Sequence, residues 1–422
     1  MYSVPFGGDD ASATKVGKRD QVLLNRNEGT RTAVTEWCSG SDGVQRTHEA
    51  EKCCESPRRN VDRVGGVGWA EMLHKLHRKD RHRWHKSLVP VGVLELESRQ
   101  LTEIIQAGGQ IGSLITEQLL ATGKHSVTAI TRDDSTTKFL TKVRVAKVNY
   151  GNEESLVNAF GGQQFLIIAL SVTAPQDTQP KLIKAAAKAG VPWVMPSSFC
   201  SDLRNKELSN ENLNGADVLD SIEAIKNEEV SSWVALVTSY WYEYSLAMPT
   251  EFYGFDVANR KVVFIDDGNT KINTTTQPQT ARAIVALLSL KELPDDDQDR
   301  SVTLSQWRNE PVYVSSFLVS QRDMLDSLNR VLRTKDDDCE IKHEPHKERY
   351  NRGLQELQGR DMRGFATALY TRGFYPNGDG NYEAKYGLAN EALALPREDL
   401  DELTRRSVAM VKRGWNGFTN RN

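Results

Sequence analysis

Three glycines near residue 110 have the spacing that a phosphate-binding turn requires. Gly108, Gly109 and Gly112 belong to the stretch Ala107-Gly-Gly-Gln-Ile-Gly-Ser113. Such glycines let the backbone turn tightly and approach a phosphate, which the N–H groups at the start of the next helix can then bind. Arg132 follows Gly112 by 20 residues, where a nucleotide-binding fold of this kind meets the adenosine ribose. The spacing therefore predicts a dinucleotide site.

The elements around these residues follow the order strand, glycine turn, helix, strand. A short apolar run, Ile104-Ile105, precedes the turn, and apolar residues at helical spacing continue from Ile111 to Leu120 before Gly123 ends the helix. Strands and helices then alternate along the chain, which indicates a parallel sheet. Strands are predicted at 126–131, 143–150, 165–170, 193–195, 232–238 and 261–265, and helices at 155–160, 179–190, 217–227, 280–290, 320–332, 347–369 and 397–412.

This pattern predicts an α/β fold, a Rossmann-like doubly wound parallel sheet followed by a smaller C-terminal α+β portion. We expect a nucleotide-binding domain over residues 101–245 and a substrate domain over residues 246–422. Ligands of such sheets bind at the carboxyl ends of the strands. The predicted cofactor-binding residues therefore lie at strand ends: Gly108, Gly109, Gln110, Ile111, Gly112, Arg132, Ser171, Val172 and Thr173.

The residue after the second strand bears on the choice of cofactor. An acidic residue there would favour NAD, whereas an arginine can pair with the 2′-phosphate of NADP. The strand ends as Ile130-Thr131-Arg132, so we expect NADP(H) in preference to NAD. Asp133 and Asp134 follow directly and leave the NAD alternative open.

Composition excludes several other classes of function. The 422 residues carry a formal net charge of -3, which gives no global attraction to nucleic acid, and no run of 18 apolar residues predicts a membrane span. The N-terminus lacks the basic start and apolar core of a signal peptide. Five scattered cysteines favour a reducing compartment, the cytoplasm. A small-molecule substrate is the expected partner.

Residues 1–100 differ from the remainder, because they are polar and show no sustained periodicity. Such a segment buries too little apolar area to offset its ordering entropy, so we predict a disordered extension or a segment that is not native coding sequence. Its cysteines and histidines match no zinc-finger spacing, and no metal site is predicted. A basic run with one aromatic, residues 74–86, is expected to be a solvated tail that does not bind nucleic acid.

Residues 104–415 resemble the NmrA-like, isoflavone-reductase-like group, an atypical branch of the short-chain dehydrogenases. The resemblance implies an NADP(H)-binding Rossmann domain with a smaller C-terminal substrate domain, and it is strongest to fungal members linked to secondary metabolism. The stretches that carry it are 107–131, 147–150, 165–174, 181–196, 231–235, 240–246, 253–256 and 266–272.

Two departures from that group lie near the glycine turn. The group's turn begins one glycine earlier, where this chain has Gln106, so a side chain there is expected to strain the turn or crowd the pyrophosphate. The first strand, Leu101-Thr-Glu-Ile-Ile105, places a threonine and a glutamate where a buried apolar run is expected. Together they suggest that the chain upstream of Ile104 has been replaced, for instance at a misplaced splice junction.

A third departure concerns catalysis. The isoflavone-reductase branch carries a proton-handling lysine on the helix before the strand at 232, but residues 218–220 of this chain contain none. Lys206 and Lys226 are expected to be surface charges, and Tyr240 and Tyr242 to be core aromatics. We expect Cys200 to be a buried, inert thiol. No catalytic residue is assigned.

Three functions are compatible with these observations. The leading hypothesis is an NADP(H)-dependent reductase of a small, partly aromatic metabolite held under the aromatic segment 240–255. The alternative is a non-catalytic sensor of NAD(P) redox state that acts through a protein partner, which the absent lysine favours. The third hypothesis is a defective chain that binds no ligand well, and it is supported by Gln106 and by the irregular first strand.

Overall fold

The computed structural model of the chain describes residues 100–171 and 174–415. The predictions for residues 1–99 lie outside the described residues, as do those for Val172 and Thr173. Among the residues described, no helix is both long and apolar enough to cross a lipid bilayer.

The described residues form thirteen strands and twelve α-helices. The strands are β1 (Gln100–Ile105), β2 (His125–Arg132), β3 (Arg144–Val148), β4 (Phe165–Ile168), β5 (Trp193–Met195), β6 (Ser232–Val237), β7 (Tyr240–Trp241), β8 (Phe255–Asp256), β9 (Lys261–Ile265), β10 (Ile272–Thr275), β11 (Glu310–Tyr313), β12 (Phe317–Val319) and β13 (Glu340–Glu344). The helices are α1 (Gln110–Thr122), α2 (Glu153–Phe160), α3 (Thr178–Lys188), α4 (Lys206–Glu211), α5 (Gly215–Asn227), α6 (Tyr242–Leu246), α7 (Gln277–Leu288), α8 (Gln321–Leu332), α9 (His346–Gln358), α10 (Arg363–Gly373), α11 (Glu383–Tyr386) and α12 (Leu400–Lys412).

Seven parallel strands form the main sheet, in the order β11-β6-β5-β4-β1-β2-β3. The chain runs outward from β1 to β3, returns to place β4 on the other side of β1, and then continues to β6. This is the strand order of a Rossmann sheet with one added edge strand. The predicted fold class is therefore confirmed.

Helices cover both faces of this sheet, as a parallel sheet requires. On one face, Ile111 and Ile115 of α1 pack with Ile284 and Leu287 of α7 against the strands. On the opposite face the apolar side chains come from α2, α3 and α5, for example Leu182. Strands β4, β5 and β6 between them are apolar runs because both of their surfaces are buried.

The central strand β1 contains two buried polar side chains. Thr102 and Glu103 are fully buried, and among the described residues neither the threonine hydroxyl nor either carboxylate oxygen has a hydrogen-bond partner. Burial raises the pKa of Glu103 to about 9. The strand predicted to be irregular is therefore formed, with a neutral carboxylic acid enclosed between Thr128 of β2 and Leu166 of β4 in the strand register.

Two elements beyond the predicted domain boundary at residue 245 belong to the nucleotide-binding half. Strand β11 joins the main sheet beside β6, and α7 packs on α1. His125 at the start of β2 lies 3.2 Å from the hydroxyl of Ser289, which follows the C-terminus of α7. The helix therefore begins at the carboxyl edge of the sheet. The boundary at residue 245 remains a prediction.

The remaining C-terminal residues form the predicted α+β portion. It contains two three-stranded sheets, β12-β10-β7 and β13-β9-β8, and a second core rich in aromatic side chains. The single helix predicted over residues 347–369 is wrong, because α9 ends at Gln358 and α10 starts at Arg363. Arg360 between them has a left-handed φ of 65°, which a continuous helix does not allow.

Candidate dinucleotide site

The glycine turn connects β1 to α1 at the carboxyl edge of the sheet. The N–H of Gly109 donates to the carbonyl oxygen of Gln106 over 2.8 Å, which closes the turn. A Cβ at Gly112 would lie 2.2 Å from that same oxygen, and one at Gly108 would lie 2.5 Å from the methyl group of Thr137. The backbone therefore folds on itself too closely for a side chain at Gly112, whereas a side chain at Gly108 would require the Thr137 methyl group to move aside.

The N-terminus of α1 provides groups that bind an anion. Gly109 precedes the helix in an extended conformation and has no side chain to cap it, and the first turn contains no acidic residue. The early N–H groups of the helix, at Gln110 and Ile111, and the positive end of its dipole are thus left for a phosphate. This geometry fits the pyrophosphate of a dinucleotide.

Gln106 occupies the position at which the turn requires a left-handed backbone. Its φ is 58°, a conformation that costs a residue with a Cβ about 1 kcal/mol more than glycine. Its side-chain oxygen accepts a hydrogen bond from the backbone N–H of Ser171 over 3.2 Å. The sequence prediction of a strained turn agrees with this φ.

Arg132 ends β2, the strand beside β1, on the same edge as the glycine turn. Its side chain is 74% exposed, and its Nε lies 3.4 Å from a carboxylate oxygen of Asp134, which is 76% exposed. A pair this open to water is weak, so the guanidinium can exchange Asp134 for a phosphate. Burial raises the pKa of the nearby Tyr150 phenol to about 12, although the charge of Arg132 opposes that rise.

The structure brings most of the predicted site residues together, places Arg132 one strand away, and does not describe two of them. Residues 108–112 and Ser171 meet through Gln106, at the ends of the adjacent strands β1 and β4. Arg132 lies one strand away from the turn. Val172 and Thr173 follow Ser171 and lie outside the described residues.

Aromatic side chains follow the ends of β5 and β6 at this edge. Phe199, in the loop after β5, has its ring centroid 6.1 Å from that of Trp241, which in turn lies 6.3 Å from the ring of Tyr244. All three are partly buried. The indole N–H of Trp241 is buried and has no hydrogen-bond partner among the described residues.

The other rings of segment 240–255 fill the second core. Tyr242 and Tyr253 are fully buried, and the ring of Tyr240 stacks on that of Tyr370 at 4.4 Å between centroids. The phenol of Tyr242 bonds to the hydroxyl of Thr404 over 2.6 Å. The prediction that Tyr240 and Tyr242 are core residues is confirmed, because their rings pack against the protein itself.

A carboxyl group that the sequence analysis did not select lies at the same edge. Glu243 is 7% exposed, and one of its oxygens accepts the N–H of Gln277, the first residue of α7, over 3.0 Å. The other oxygen is buried and has no hydrogen-bond partner within the part of the chain that the structure describes. Burial raises the pKa of Glu243 to about 7. The available signal was a single acidic residue within the aromatic run Tyr240-Trp-Tyr-Glu-Tyr244 directly after a core strand.

The candidate amines and the thiol have the surroundings that were predicted. Lys206 and Lys226 are exposed, and Lys226 lies 3.8 Å from a carboxylate oxygen of Glu223 on the same helix. Cys200 is 5% exposed, and burial raises the pKa of its thiol to about 12. A thiol of that kind remains protonated and unreactive at neutral pH.

Comparison with known proteins agrees with this geometry. Residues 107–290 match the NAD(P)H-binding family model. The chain is 26% identical over 320 residues to the oxidoreductase aprR of Aspergillus flavus, an alignment that covers 74% of this chain and 98% of that protein.

Two solved structures have the same fold. An isoflavone reductase superposes with a TM-score of 0.55 at 18% identity, covering 73% of this chain and 99% of that one. AtPrR2, solved with NADP+ and (+)pinoresinol, superposes with a TM-score of 0.51 at 17% identity, covering 75% and 98%. The resemblance stated from the sequence is thereby confirmed at the level of the fold, and the residues that match the NAD(P)H-binding family model, 107–290, lie within that fold.

Proposed function

We propose that this protein is an NADP(H)-dependent oxidoreductase of the cytoplasm that reduces a small, partly aromatic metabolite. The observation that carries the proposal is the glycine turn between β1 and α1, which presents an uncapped helix N-terminus beside Arg132 at the carboxyl edge of the sheet. These groups bind the pyrophosphate and the 2′-phosphate, respectively.

The choice of NADP(H) over NAD rests on Arg132. Its only ion pair among the described residues is the exposed contact with Asp134, and a doubly charged phosphate ester is a stronger partner for a guanidinium than one screened carboxylate. Lys147 adds positive charge nearby, because its ammonium donates to the carbonyl oxygen of Asp133 over 3.1 Å.

The substrate side is formed by Phe199, Trp241 and Tyr244. Partly buried rings at the ends of β5 and β6 favour a flat, apolar ligand, and the indole N–H of Trp241, which no described residue accepts, is a donor for a ligand oxygen. That AtPrR2 was solved with (+)pinoresinol, on the same fold, supports a substrate with aromatic rings.

The bound nicotinamide supplies the hydride, and the protein supplies position and protons. The rings exclude water from the carboxyl edge beside the glycine turn. Glu243 is a buried group at this edge that holds a proton near neutral pH, and residues 218–220 of α5 contain no lysine.

Titration with nucleotides and a substrate panel tests the proposal. We expect NADPH to bind more tightly than NADH. We also expect members of a panel of aryl ketones, enones, quinones and benzylic ethers to be reduced by NADPH. The oxidation of NADPH is followed by its absorbance at 340 nm. Tight NADPH binding without turnover of any panel member would refute the reductase assignment.

A non-catalytic sensor of NAD(P) redox state, acting through a protein partner, is the second candidate. It is favoured by residues 218–220 of α5, where a buried valine, a leucine and an aspartate stand in place of the group's lysine. A sensor that does not drive hydride transfer is expected to bind oxidised and reduced cofactor with nearly equal affinity. Marked preference for NADPH over NADP+ would favour the reductase.

A further inference from the structure

The strand order of the main sheet reverses between β1 and β4. From β1 the chain builds the sheet toward β3, and from β4 it builds toward β6. The helices that follow β1 and β4 therefore lie on opposite faces, which opens a crevice between the carboxyl ends of these two strands. Dinucleotides cross Rossmann sheets at this reversal point.

The side chain of Gln106 spans that crevice. Gln106 follows the last residue of β1, and Ser171 lies three residues beyond the end of β4. The hydrogen bond from the Ser171 N–H to the Gln106 side-chain oxygen joins the two strand ends over 3.2 Å. Both residues are exposed, so the bond lies at the open mouth of the crevice.

The backbone of the turn holds this side chain in place. The carbonyl oxygen of Gln106 receives the N–H of Gly109, and the left-handed φ of 58° fixes the direction of its Cβ. Gly112 packs against the same carbonyl oxygen, so the backbone of Gln106 is held in place. The Gln106 side chain can therefore move aside only by rotation about its own side-chain bonds.

We propose that Gln106 is a built-in competitor for the dinucleotide, a latch whose hydrogen bond to Ser171 must open before the pyrophosphate can cross the crevice. The inference rests on the proposed cofactor site and goes beyond it by naming the residue that limits its affinity. Breaking one exposed amide–carbonyl bond and swinging the side chain aside reduces affinity by about 3- to 10-fold.

The test compares three substitutions in the full chain. Gln106→Ala keeps the Cβ and the backbone strain but removes the latch, so NADPH is expected to bind about 3- to 10-fold more tightly. Gln106→Gly also relieves the strain, so its affinity is expected to be at least as high. Gln106→Glu keeps a bond to Ser171 and places a negative charge beside the phosphates, so its affinity is expected to fall about 10-fold or more.

Calorimetric titration with NADPH measures these affinities, and Gln298→Ala, an exposed glutamine distant in sequence from the turn, is the matched control. Hydrogen exchange at Ser171 in the cofactor-free protein gives an independent readout, because loss of the latch is expected to speed exchange there in the alanine variant but not in the control.

The outcomes separate the latch from the cofactor site. If the wild-type chain and the alanine variant bind NADPH equally well, or the variant binds it more weakly, the latch is refuted and the proposed function stands. If neither the wild-type chain nor any of the variants binds NADPH or NADH, both proposals fail. Unchanged exchange at Ser171 in the alanine variant refutes the latch without reference to binding.

Discussion

Replacing Glu103 by glutamine is expected to remove the loss of stability that ionisation of this carboxyl causes as the pH rises. The side chain is fully buried in the central strand of the sheet, and neither carboxylate oxygen has a hydrogen-bond partner in residues 100–171 or 174–415. Glutamine has nearly the same shape but cannot lose a proton. The substitution therefore isolates the cost of ionising one buried carboxyl group.

The magnitude follows from the pKa of the carboxyl, which burial raises from 4.5 to about 9. A raised folded-state pKa contributes stability that is fully present below pH 4.5 and is lost as the pH rises through 9. Between these limits the free energy of unfolding falls by about 1.4 kcal/mol for each pH unit. From pH 6 to pH 8 the wild-type protein is expected to lose about 2.7 kcal/mol relative to Glu103→Gln.

A third variant separates ionisation from the cost of burying a polar group. Glu103→Val has about the same volume and suits a strand, and it removes the unpaired polar atoms altogether. We expect it to exceed the glutamine variant in stability by about 1–3 kcal/mol at every pH, because the amide is as unpaired as the carboxyl. Exposed Glu117 on α1 supplies the control Glu117→Gln.

Urea unfolding between pH 6 and pH 9, followed by tryptophan fluorescence, measures these differences from the transition midpoints at constant slope. A constant difference between wild type and Glu103→Gln over this range would mean that the carboxyl ionises freely. It would then lie in water, and the placement of residues 100–105 as the central strand would be wrong.

Three further outcomes are expected. Gly112→Ala places a Cβ 2.2 Å from a backbone oxygen, so it should weaken NADPH binding by ~100-fold and lower the free energy of unfolding by about 1–3 kcal/mol. Gly161→Ala, whose Cβ would have only ordinary contacts, should change neither quantity when the same titrations and thermal melts are run. Arg132→Ala should weaken NADPH binding by about 10- to 100-fold and leave NADH binding unchanged in calorimetry; equal losses would place the arginine away from the 2′-phosphate. Because burial raises the pKa of Glu243 to about 7, the free energy of unfolding of the wild-type protein should fall by about 3 kcal/mol as the pH rises from 4.5 to 7, and Glu243→Gln should abolish this fall. The same dependence on pH in the wild type and the variant, measured by urea unfolding, would contradict this.

Local pattern was sufficient for the first half of the sheet and for its glycine turn. Strands β4 to β6 were predictable because a strand buried on both faces is a short apolar run between turn residues, as in Phe165–Ile168. The helix α1 and its end at Gly123 followed from apolar spacing and a left-handed glycine, whose φ is 71°. Such features depend on neighbouring residues alone.

Other elements depend on partners far along the chain, so their sequences gave little signal. Strand β11 has four residues and includes Pro311, which suits an edge strand but not a core one, and only its pairing with β6 makes it part of the sheet. Helix α7 could be predicted as a helix, but its packing on α1 could not. The break between α9 and α10 was hidden within one continuous helical pattern.

The sequence by itself determined the local unit on which the predicted cofactor site rests, because the glycine spacing and the arginine 20 residues later depend on neighbouring residues alone. Only the tertiary structure decided the surroundings of the individual side chains. It joined Gln106 to Ser171 across 65 positions of sequence, enclosed Glu103 with no hydrogen-bond partner among the residues described, and placed Glu243 at the start of α7. Hydrogen bonding and burial of a side chain are set by the elements that surround it, and those elements meet only when the chain has folded.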